Sequence, residues 1–133
     1  VEVNGSKDKK KFGINIFGQK KEKKDQVSSI KPLQGVRPYI VHKGRKVDIT
    51  RSPFSMGQGS GAYPVDYVIA DNPRVSHRHA IITEEDGNYY LQDNNSTNGT
   101  MLNGMDIQPG ELKLLKDGDE IRLYNEIICF YLT

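Results

Sequence analysis

The stretch that decides the fold is residues 74–104, which read RVSHRHAIITEEDGNYYLQDNNSTNGTMLNG. Within it, residues 80–83 and residues 89–92 alternate between the two faces that a β-strand presents. Between these segments lies Asp86-Gly87, a dipeptide that strongly indicates a tight hairpin turn. The stretch therefore predicts a β-hairpin.

A polar loop precedes the hairpin at residues 72–79, and a second polar loop follows it at residues 94–100. The outer ends of a hairpin lie side by side, because its two strands pair antiparallel. We therefore expect both loops at one end of the domain. Ser76 and Asn98, 22 positions apart, would then face a common ligand.

The rest of the chain consists of short segments of strand character separated by turn residues, and no window has a sustained helical period. These segments are residues 39–42, 47–50, 54–58, 67–70, 100–102, 112–115, 120–124 and 127–132. Many short strands at regular spacing predict an all-β sandwich or barrel. The 133 residues are enough for one domain of ordinary size.

The apolar residues and the single cysteine bear on the cellular location of the protein. The longest apolar run, residues 127–132, is far shorter than the roughly 20 residues that span a bilayer, and residues 1–5 do not resemble a secretory signal. The single cysteine, Cys129, has no partner thiol, so we expect a buried and inert side chain. We accordingly expect a cytoplasmic protein.

Charge is distributed unevenly along the chain. Residues 1–31 carry nine Lys against four acidic residues, whereas residues 32–133 carry ten Lys and Arg against thirteen acidic residues. We interpret residues 1–35 as a flexible lysine-rich linker and residues 36–133 as the folded domain. The alternative for residues 7–24 is weak contact with an anionic membrane. Because the folded part is not basic, no nucleic-acid partner is expected.

The two polar loops are rich in hydrogen-bond donors and contain few carboxylates. The candidate ligand-binding side chains in them are Arg74, Ser76, His77, Arg78, Thr97 and Asn98. Such donors suit a phosphate monoester, whose oxygens all accept hydrogen bonds. The nearest acids, Asp71 and Asp93, end strands, where capping a turn is the ordinary role. The plainer alternative is that all these polar residues only build tight turns.

Several of these residues belong to an ordered series of motifs. The motifs are VSHRH at 75–79, LQD at 91–93, NSTNGT at 95–100, NG at 103–104 and DGDEI at 117–121. In this order and spacing, the chain resembles the forkhead-associated (FHA) domain over residues 36–132. The resemblance implies a two-sheet antiparallel β-sandwich of about ten to eleven short strands, of the FHA/SMAD-like type. It also implies that loops at one end bind phosphothreonine in a peptide, without catalysis and without a cofactor.

The resemblance assigns ligand contacts to four of the loop residues. Ser76 would hydrogen-bond the phosphate, and Asn98 would hold the peptide backbone beside the phosphothreonine. Thr97 would line the same site. His77 would contribute its backbone N–H or its ring.

Three further residues would support the site without touching the ligand. Gly57 belongs to the family's Gly-Arg motif at the end of a strand. His79 would tie the two loops together, and Gly99 would permit the tight turn. The plain interpretation of His79, as a hydrogen-bonded and partly buried histidine, agrees with this role.

One position departs from the family pattern. Gly57 is followed by Gln58, at the position where the family has an arginine that binds the phosphate. A neutral hydrogen bond contributes roughly 1 kcal/mol against about 1.5–3 kcal/mol for a charged one, so binding weakens by about tenfold or more. We expect Arg74, ahead of Arg78, to supply the missing cation, and Gln58 to remain in the site. The alternative is a degenerate FHA-like domain that binds a protein partner independently of phosphate.

Other functions have less support from the residues. The glycine-rich residues 57–61 are not followed by the helix that a nucleotide site requires. Ser76 lies near His77, His79 and Asp93, but the loop lacks the pattern of an activated nucleophile. The two histidines also lack a third metal ligand. We therefore expect neither an enzyme nor a metal site.

The expected partner is a phosphothreonine-containing protein produced by a Ser/Thr kinase. Residues 1–49 contain no threonine, and the family prefers phosphothreonine to phosphoserine. The basic segment therefore cannot present the preferred ligand to its own domain. We expect the ligand to come from another chain or another part of the same protein, and the protein to be a monomeric signalling adaptor.

Overall fold

The computed structural model describes residues 37–133. Eleven β-strands make up this part of the chain, and it contains no helix that could cross a membrane. In chain order they are β1 (Pro38–His42), β2 (Arg45–Asp48), β3 (Phe54–Gly57), β4 (Tyr67–Val68), β5 (Ala80–Glu85), β6 (Asn88–Asp93), β7 (Thr100–Leu102), β8 (Met105–Ile107), β9 (Lys113–Leu114), β10 (Glu120–Leu123) and β11 (Glu126–Leu132). The predicted all-β fold is confirmed.

The strands form two sheets. The six-stranded sheet has the order β8-β7-β10-β11-β1-β2, and the five-stranded sheet has the order β9-β6-β5-β3-β4. The strand pairs are antiparallel except for β3 and β4, which run parallel at one edge. The predicted two-sheet sandwich is therefore present, with one parallel pair in addition.

The core is built from alternate residues of the strands. In β11, Ile128 and Phe130 are fully buried, whereas Ile127 is exposed on the outward face. A period of two is what a sheet with one buried face requires. The same alternation turns Cys129 outward, so its side chain is only partly buried. The expectation of a buried thiol was therefore wrong.

The observed strands follow the predicted segments, with shifts of a few residues at their ends. The Asn103-Gly104 dipeptide predicts the hairpin turn that joins β7 to β8, and both residues have positive φ, but no period marks β8 itself as a strand. A strand of three residues is too short to show a period. The linker assigned to residues 1–35, with its membrane alternative at 7–24, lies outside the described residues.

The β5–β6 hairpin has the turn that its sequence predicts. Asp86 and Gly87 have φ angles of 54° and 84°, which a tight two-residue hairpin turn requires. At the other end of the hairpin, Ala80 lies opposite Asp93, and the Asn94 N–H donates to the His79 carbonyl at 2.9 Å. The two polar loops therefore begin side by side at the same end of the sandwich.

Candidate functional site

Two loops form the candidate site, and hydrogen bonds join them directly. We call residues 69–79 loop A and residues 94–99 loop B. The Thr97 N–H of loop B donates to Ser76 Oγ of loop A at 3.0 Å. The Asn98 Nδ2 group donates to the Arg74 carbonyl at 2.8 Å. Ser76 and Asn98 therefore lie at one site, although 22 positions separate them.

An open pocket of about 330 Å³ lies between the two loops. Eight residues of the described range 37–133 line it; none of them is acidic, and most carry a hydrogen-bond donor. They are Gln58, Pro73, Arg74, Val75, Ser76, His77, Thr97 and Asn98. Of the seven residues predicted to bind ligand, six are in this lining, and Arg78 is not. The pocket is suited to an anion that accepts several hydrogen bonds.

Loop A is held against the end of β3 by close backbone contact. A Cβ atom added to Gly57 would lie 2.3 Å from the His77 carbonyl oxygen and 2.7 Å from that of Ser76. Just after it, the N–H groups of Gln58 and Gly59 donate to the Ser76 and His77 carbonyls at 3.0 and 2.8 Å. Gly57 is therefore required for space, because backbone atoms occupy the position of a side chain.

His79 contacts both loop A and loop B through its two ring nitrogens. Its Nδ1 accepts the Ser76 N–H at 3.0 Å, so Nε2 carries the proton and donates to the Gly99 carbonyl at 2.8 Å. Burial lowers the pKa of His79 below its ordinary value of 6.5, although the Gly99 carbonyl and Asp93 oppose that shift. The neutral ring is the form that both hydrogen bonds require.

Loop B is organised by the buried carboxylate of Asp93. Asp93 accepts the Ser96 N–H at 3.1 Å and the hydroxyls of Ser96 and Thr100, each at 2.5 Å. The Ser96 hydroxyl in turn accepts the Gly99 N–H at 2.9 Å. Gly99 has a φ of +88°, a conformation in which side chains are disfavoured. Asp93 therefore caps the loop, and its side chain does not line the pocket.

Gln58 and Arg74 both reach the pocket, but they are held differently. The Gln58 Nε2 group donates to the Val75 carbonyl at 3.0 Å, so one of its two N–H bonds is already used. The Arg74 guanidinium lies over the ring of Tyr124, 5.6 Å from its centroid. Gln58 lines the pocket without a charge, and Arg74 is the arginine in the lining.

His77 and Arg78 are turned toward the loop between β3 and β4. His77 Nδ1 donates to the Gly59 carbonyl at 3.1 Å, and its ring stacks on Tyr63 at a centroid distance of 5.9 Å. The Arg78 guanidinium donates to the Pro64 carbonyl at 3.0 Å. His77 still borders the pocket, whereas Arg78 is directed away from it.

A second set of residues hydrogen-bonds to loop A. No local motif in the sequence indicates this set. Asn72 Nδ2 donates to Asn125 Oδ1 at 2.8 Å and to Glu126 Oε2 at 2.6 Å, and Asn72 Oδ1 accepts the Arg74 N–H at 3.2 Å. Glu126 Oε1 accepts a hydrogen bond from His42 at 2.7 Å. The one available signal was the period of β11, which places Glu126 on the buried face.

The Glu126 carboxylate remains charged in this buried setting. Burial raises the pKa of a carboxyl group, but the hydrogen bonds from Asn72 and His42 outweigh this effect and lower the pKa of Glu126 below 4.5. The ammonium group of Lys43, 3.6 Å from Oε1, acts in the same direction. A charged acceptor strengthens the hydrogen bond that anchors Asn72.

Two proteins of known sequence are similar to part of this chain. Part of the chain is 46% identical over 57 residues to the Saccharomyces cerevisiae serine/threonine-protein kinase RAD53, covering 42% of this chain and 7% of the kinase. It is 33% identical over 96 residues to the oxoglutarate dehydrogenase inhibitor of Corynebacterium diphtheriae, covering 72% of this chain and 65% of the inhibitor. The chain thus spans less than two thirds of either relative.

Solved structures agree with the sequence relatives. The N-terminal FHA domain of Rad53 from S. cerevisiae, solved with a phosphothreonine peptide, has a TM-score of 0.62 and 26% identity. The match covers 73% of this chain and 94% of that domain. Residues 54–124, more than half of the sequence, match the family model for the FHA domain. This chain therefore belongs to the FHA domain family.

Proposed function

We propose that this domain binds phosphothreonine in a peptide of a partner protein and acts as a non-catalytic adaptor in Ser/Thr-kinase signalling. One observation carries the proposal: loops A and B border a pocket lined by Arg74, Ser76, Thr97 and Asn98, and no residue among 37–133 contributes a carboxylate to the lining. A phosphate monoester is an anion with only acceptor oxygens near neutral pH. The Rad53 FHA domain, solved with a phosphothreonine peptide, supports the same ligand class.

Ser76 is the residue proposed to contact the phosphate directly. Its Oγ already accepts the Thr97 N–H. A hydroxyl has one donor in addition to its acceptor lone pairs, so the Ser76 proton is free to donate to a phosphate oxygen. The bond from Thr97 also fixes the position of Oγ, which reduces the entropy lost when the ligand binds.

Arg74 is proposed to supply the cation that Gln58 does not provide. Arg74 lines the pocket, and the Arg78 guanidinium is directed to the Pro64 carbonyl instead. The backbone of Arg74 is held on both sides, by Asn72 at its N–H and by Asn98 at its carbonyl. A guanidinium on such a fixed backbone is suited to charge-assisted hydrogen bonds with phosphate.

The partner is proposed to be a phosphothreonine-containing protein in the cytoplasm. Residues 1–49 contain no threonine, so a phosphothreonine ligand comes from another chain or another part of the same protein. The second candidate function is recognition of an unmodified protein surface. The observation that favours it is Gln58, which is neutral and already bonded to Val75.

An NMR titration distinguishes the two functions. The labelled protein is titrated with a phosphothreonine peptide library and with its unphosphorylated copy. The expected result is that signals of Gln58, Ser76, His77, Thr97 and Asn98 shift with the phosphorylated peptides only. The absence of such shifts at millimolar peptide would overturn phosphothreonine recognition and favour the unmodified protein surface.

A variant at Arg74 tests the source of the cation. Replacing a charged hydrogen bond with none costs about 1.5–3 kcal/mol, so Arg74→Ala should weaken phosphopeptide binding by about tenfold or more. Arg122→Ala is the charge-matched control, because Arg122 lies on β10 and pairs with Glu120 at 3.4 Å. If Arg74→Ala binds as tightly as the Arg122 control, Arg74 does not contact the phosphate.

A further inference from the structure

The turn between β10 and β11 has an unusual residue in a strained conformation. Tyr124 has a φ of +58°, and the other non-glycine residues with positive φ among residues 37–133 are Lys43, Asp71, Asp86, Asn95 and Asn103. Bulky side chains are disfavoured in this region, which Gly, Asn and Asp occupy most readily. Strained residues of this kind concentrate at functional sites.

This turn contacts loop A at three points. The Tyr124 ring lies under the Arg74 guanidinium, with 5.6 Å between the guanidinium carbon and the ring centroid. The next two residues, Asn125 and Glu126, accept hydrogen bonds from Asn72 at 2.8 and 2.6 Å. Asn72 in turn accepts the Arg74 N–H. The turn therefore supports both the side chain and the backbone of Arg74.

We propose that Tyr124 is a positioning residue that holds the Arg74 guanidinium at the mouth of the phosphopeptide pocket. The proposal rests on the proposed function. Tyr124 is not in the pocket lining, so it acts through Arg74 and not on the ligand. A guanidinium above the face of an aromatic ring is attracted to it electrostatically, and its N–H groups can still bond to an anion.

This role explains why a tyrosine occupies a turn position that suits asparagine or glycine. A structural role alone would favour the residue with the least backbone strain. The strained tyrosine instead supplies an aromatic face to Arg74. Replacing Tyr124 should therefore weaken the affinity for phosphopeptide, while thermal stability should stay unchanged or improve.

The experiment is a double-mutant cycle on the full chain. Tyr124→Asn relieves the backbone and removes the ring, whereas Tyr124→Phe keeps the ring and removes only the hydroxyl. Each variant is made alone and combined with Arg74→Ala. Affinity for the tightest-binding phosphothreonine peptide is measured by calorimetry, and thermal unfolding is recorded for each variant.

The expected result has three parts. Tyr124→Asn weakens binding by about two- to fivefold, the range expected for loss of an exposed cation–π contact. Tyr124→Phe stays within about twofold of the wild type, because it retains the ring. In the Arg74→Ala background, Tyr124→Asn has no further effect, since a residue that acts through Arg74 has nothing left to position.

Several outcomes would overturn the inference. These are wild-type affinity for Tyr124→Asn, an equal loss for Tyr124→Phe, and an undiminished effect of Tyr124→Asn in the Arg74→Ala background. If the Arg74→Ala variants bind too weakly to measure, the comparison of Asn with Phe decides. If the wild type itself binds no phosphopeptide, the proposed function fails and this inference fails with it, which distinguishes that case from the others.

Discussion

At the scale of single residues, Gln58 has the clearest consequence for binding. It lines the pocket, and one of its amide N–H groups already donates to the Val75 carbonyl. The remaining N–H can reach a ligand only as a neutral donor. Position 58 is therefore where one substitution should increase affinity instead of reducing it.

Gln58→Arg should raise phosphopeptide affinity by about tenfold. A charged hydrogen bond contributes about 1.5–3 kcal/mol against roughly 1 kcal/mol for a neutral one, and 1.4 kcal/mol corresponds to one decade. Isothermal titration calorimetry of both proteins measures the change. Gln58→Ala is the control and should not gain affinity. An arginine variant that binds no more tightly than the wild type would mean that the phosphate does not approach position 58.

Gly57 is a residue whose replacement should affect the fold and the site together. Gly57→Ala would place a Cβ atom 2.3 Å from the His77 carbonyl oxygen, so loop A must move. We expect a loss of about 1–3 kcal/mol in the free energy of unfolding, as for an overpacked core, together with weaker phosphopeptide binding. Chemical denaturation measures the first effect.

Gly61→Ala is the matched control for this prediction. In the part of the chain that the structure describes, no neighbouring atom lies within 4 Å of the Cβ position at Gly61. The control should therefore keep nearly the stability of the wild type. Equal stability of the two alanine variants would contradict the packing that we describe between Gly57 and loop A.

At the scale of elements, the β5–β6 hairpin and His79 act together. The hairpin brings the two loops to one end, and His79 joins them through the Ser76 N–H and the Gly99 carbonyl. The hairpin register alone would leave each loop free to move. The buried ring makes the distance between the loops a fixed property of the fold.

The stability that His79 provides should depend on pH. Because burial lowers the pKa of His79, the unfolded chain takes up a proton on this side chain at a higher pH than the folded chain does. The contribution of His79 to the free energy of unfolding is therefore complete above about pH 6.5. It is lost as the pH falls toward the lower pKa of the folded state. Denaturation at several pH values between 7.5 and 5, compared with His79→Ala, measures it.

The wild type should lose stability more steeply than His79→Ala over this range. The alanine variant has no titrating group at position 79, so other acid-sensitive groups contribute equally to both proteins. At pH 7.5 the variant should be less stable, by about 1–3 kcal/mol for each backbone group left without its partner. Parallel pH profiles would show that the folded and unfolded states bind the proton equally.

At the scale of the whole molecule, the distribution of charge separates two parts of the chain. The first 31 residues carry a net charge of +5, and residues 32–133 carry −3. Within residues 37–133, the candidate site is formed by residues 57–99 and the β10–β11 turn. We therefore propose that phosphopeptide recognition is independent of the lysine-rich segment.

A protein consisting of residues 37–133 should bind phosphopeptide within about twofold of the full chain at physiological salt. The Debye length at physiological salt is about 8 Å, so a lysine charge farther than this from the phosphate would be largely screened. Titrating both proteins with the same peptide tests this expectation. A large loss of affinity on truncation would mean that the basic segment contributes to the ligand site.

The same pair of proteins tests the alternative role of residues 7–24. If these residues contact anionic membranes, the full chain should bind phosphatidylserine vesicles with an affinity that falls steeply with salt. Residues 37–133 should bind such vesicles weakly or not at all. Equal vesicle binding by both proteins would exclude the lysine-rich segment as the membrane contact.

Much of the fold was predictable because strands and turns have local signatures. The alternation in β5, β6 and β11 follows from one buried face, and Asp86-Gly87 has the backbone conformation that such a turn needs. The Asn103-Gly104 turn predicts a hairpin after β7, but the bounds of β8 were not predictable, because three residues cannot show a period. The parallel pairing of β3 with β4 was also beyond a local pattern, since it depends on a ladder between distant segments.

The sequence by itself determined the all-β class, the hairpin, and the meeting of the two polar loops. All three follow from local periods and turn residues. Only the tertiary structure decided that Arg74 lies on Tyr124, that Arg78 turns away, and that Asn72 hydrogen-bonds Glu126, 54 positions along the chain. The contacts of Arg74 and Asn72 join a loop of one sheet to residues of the other sheet. The packing of distant strands selects such partners, because local sequence specifies a residue's face but not its neighbour.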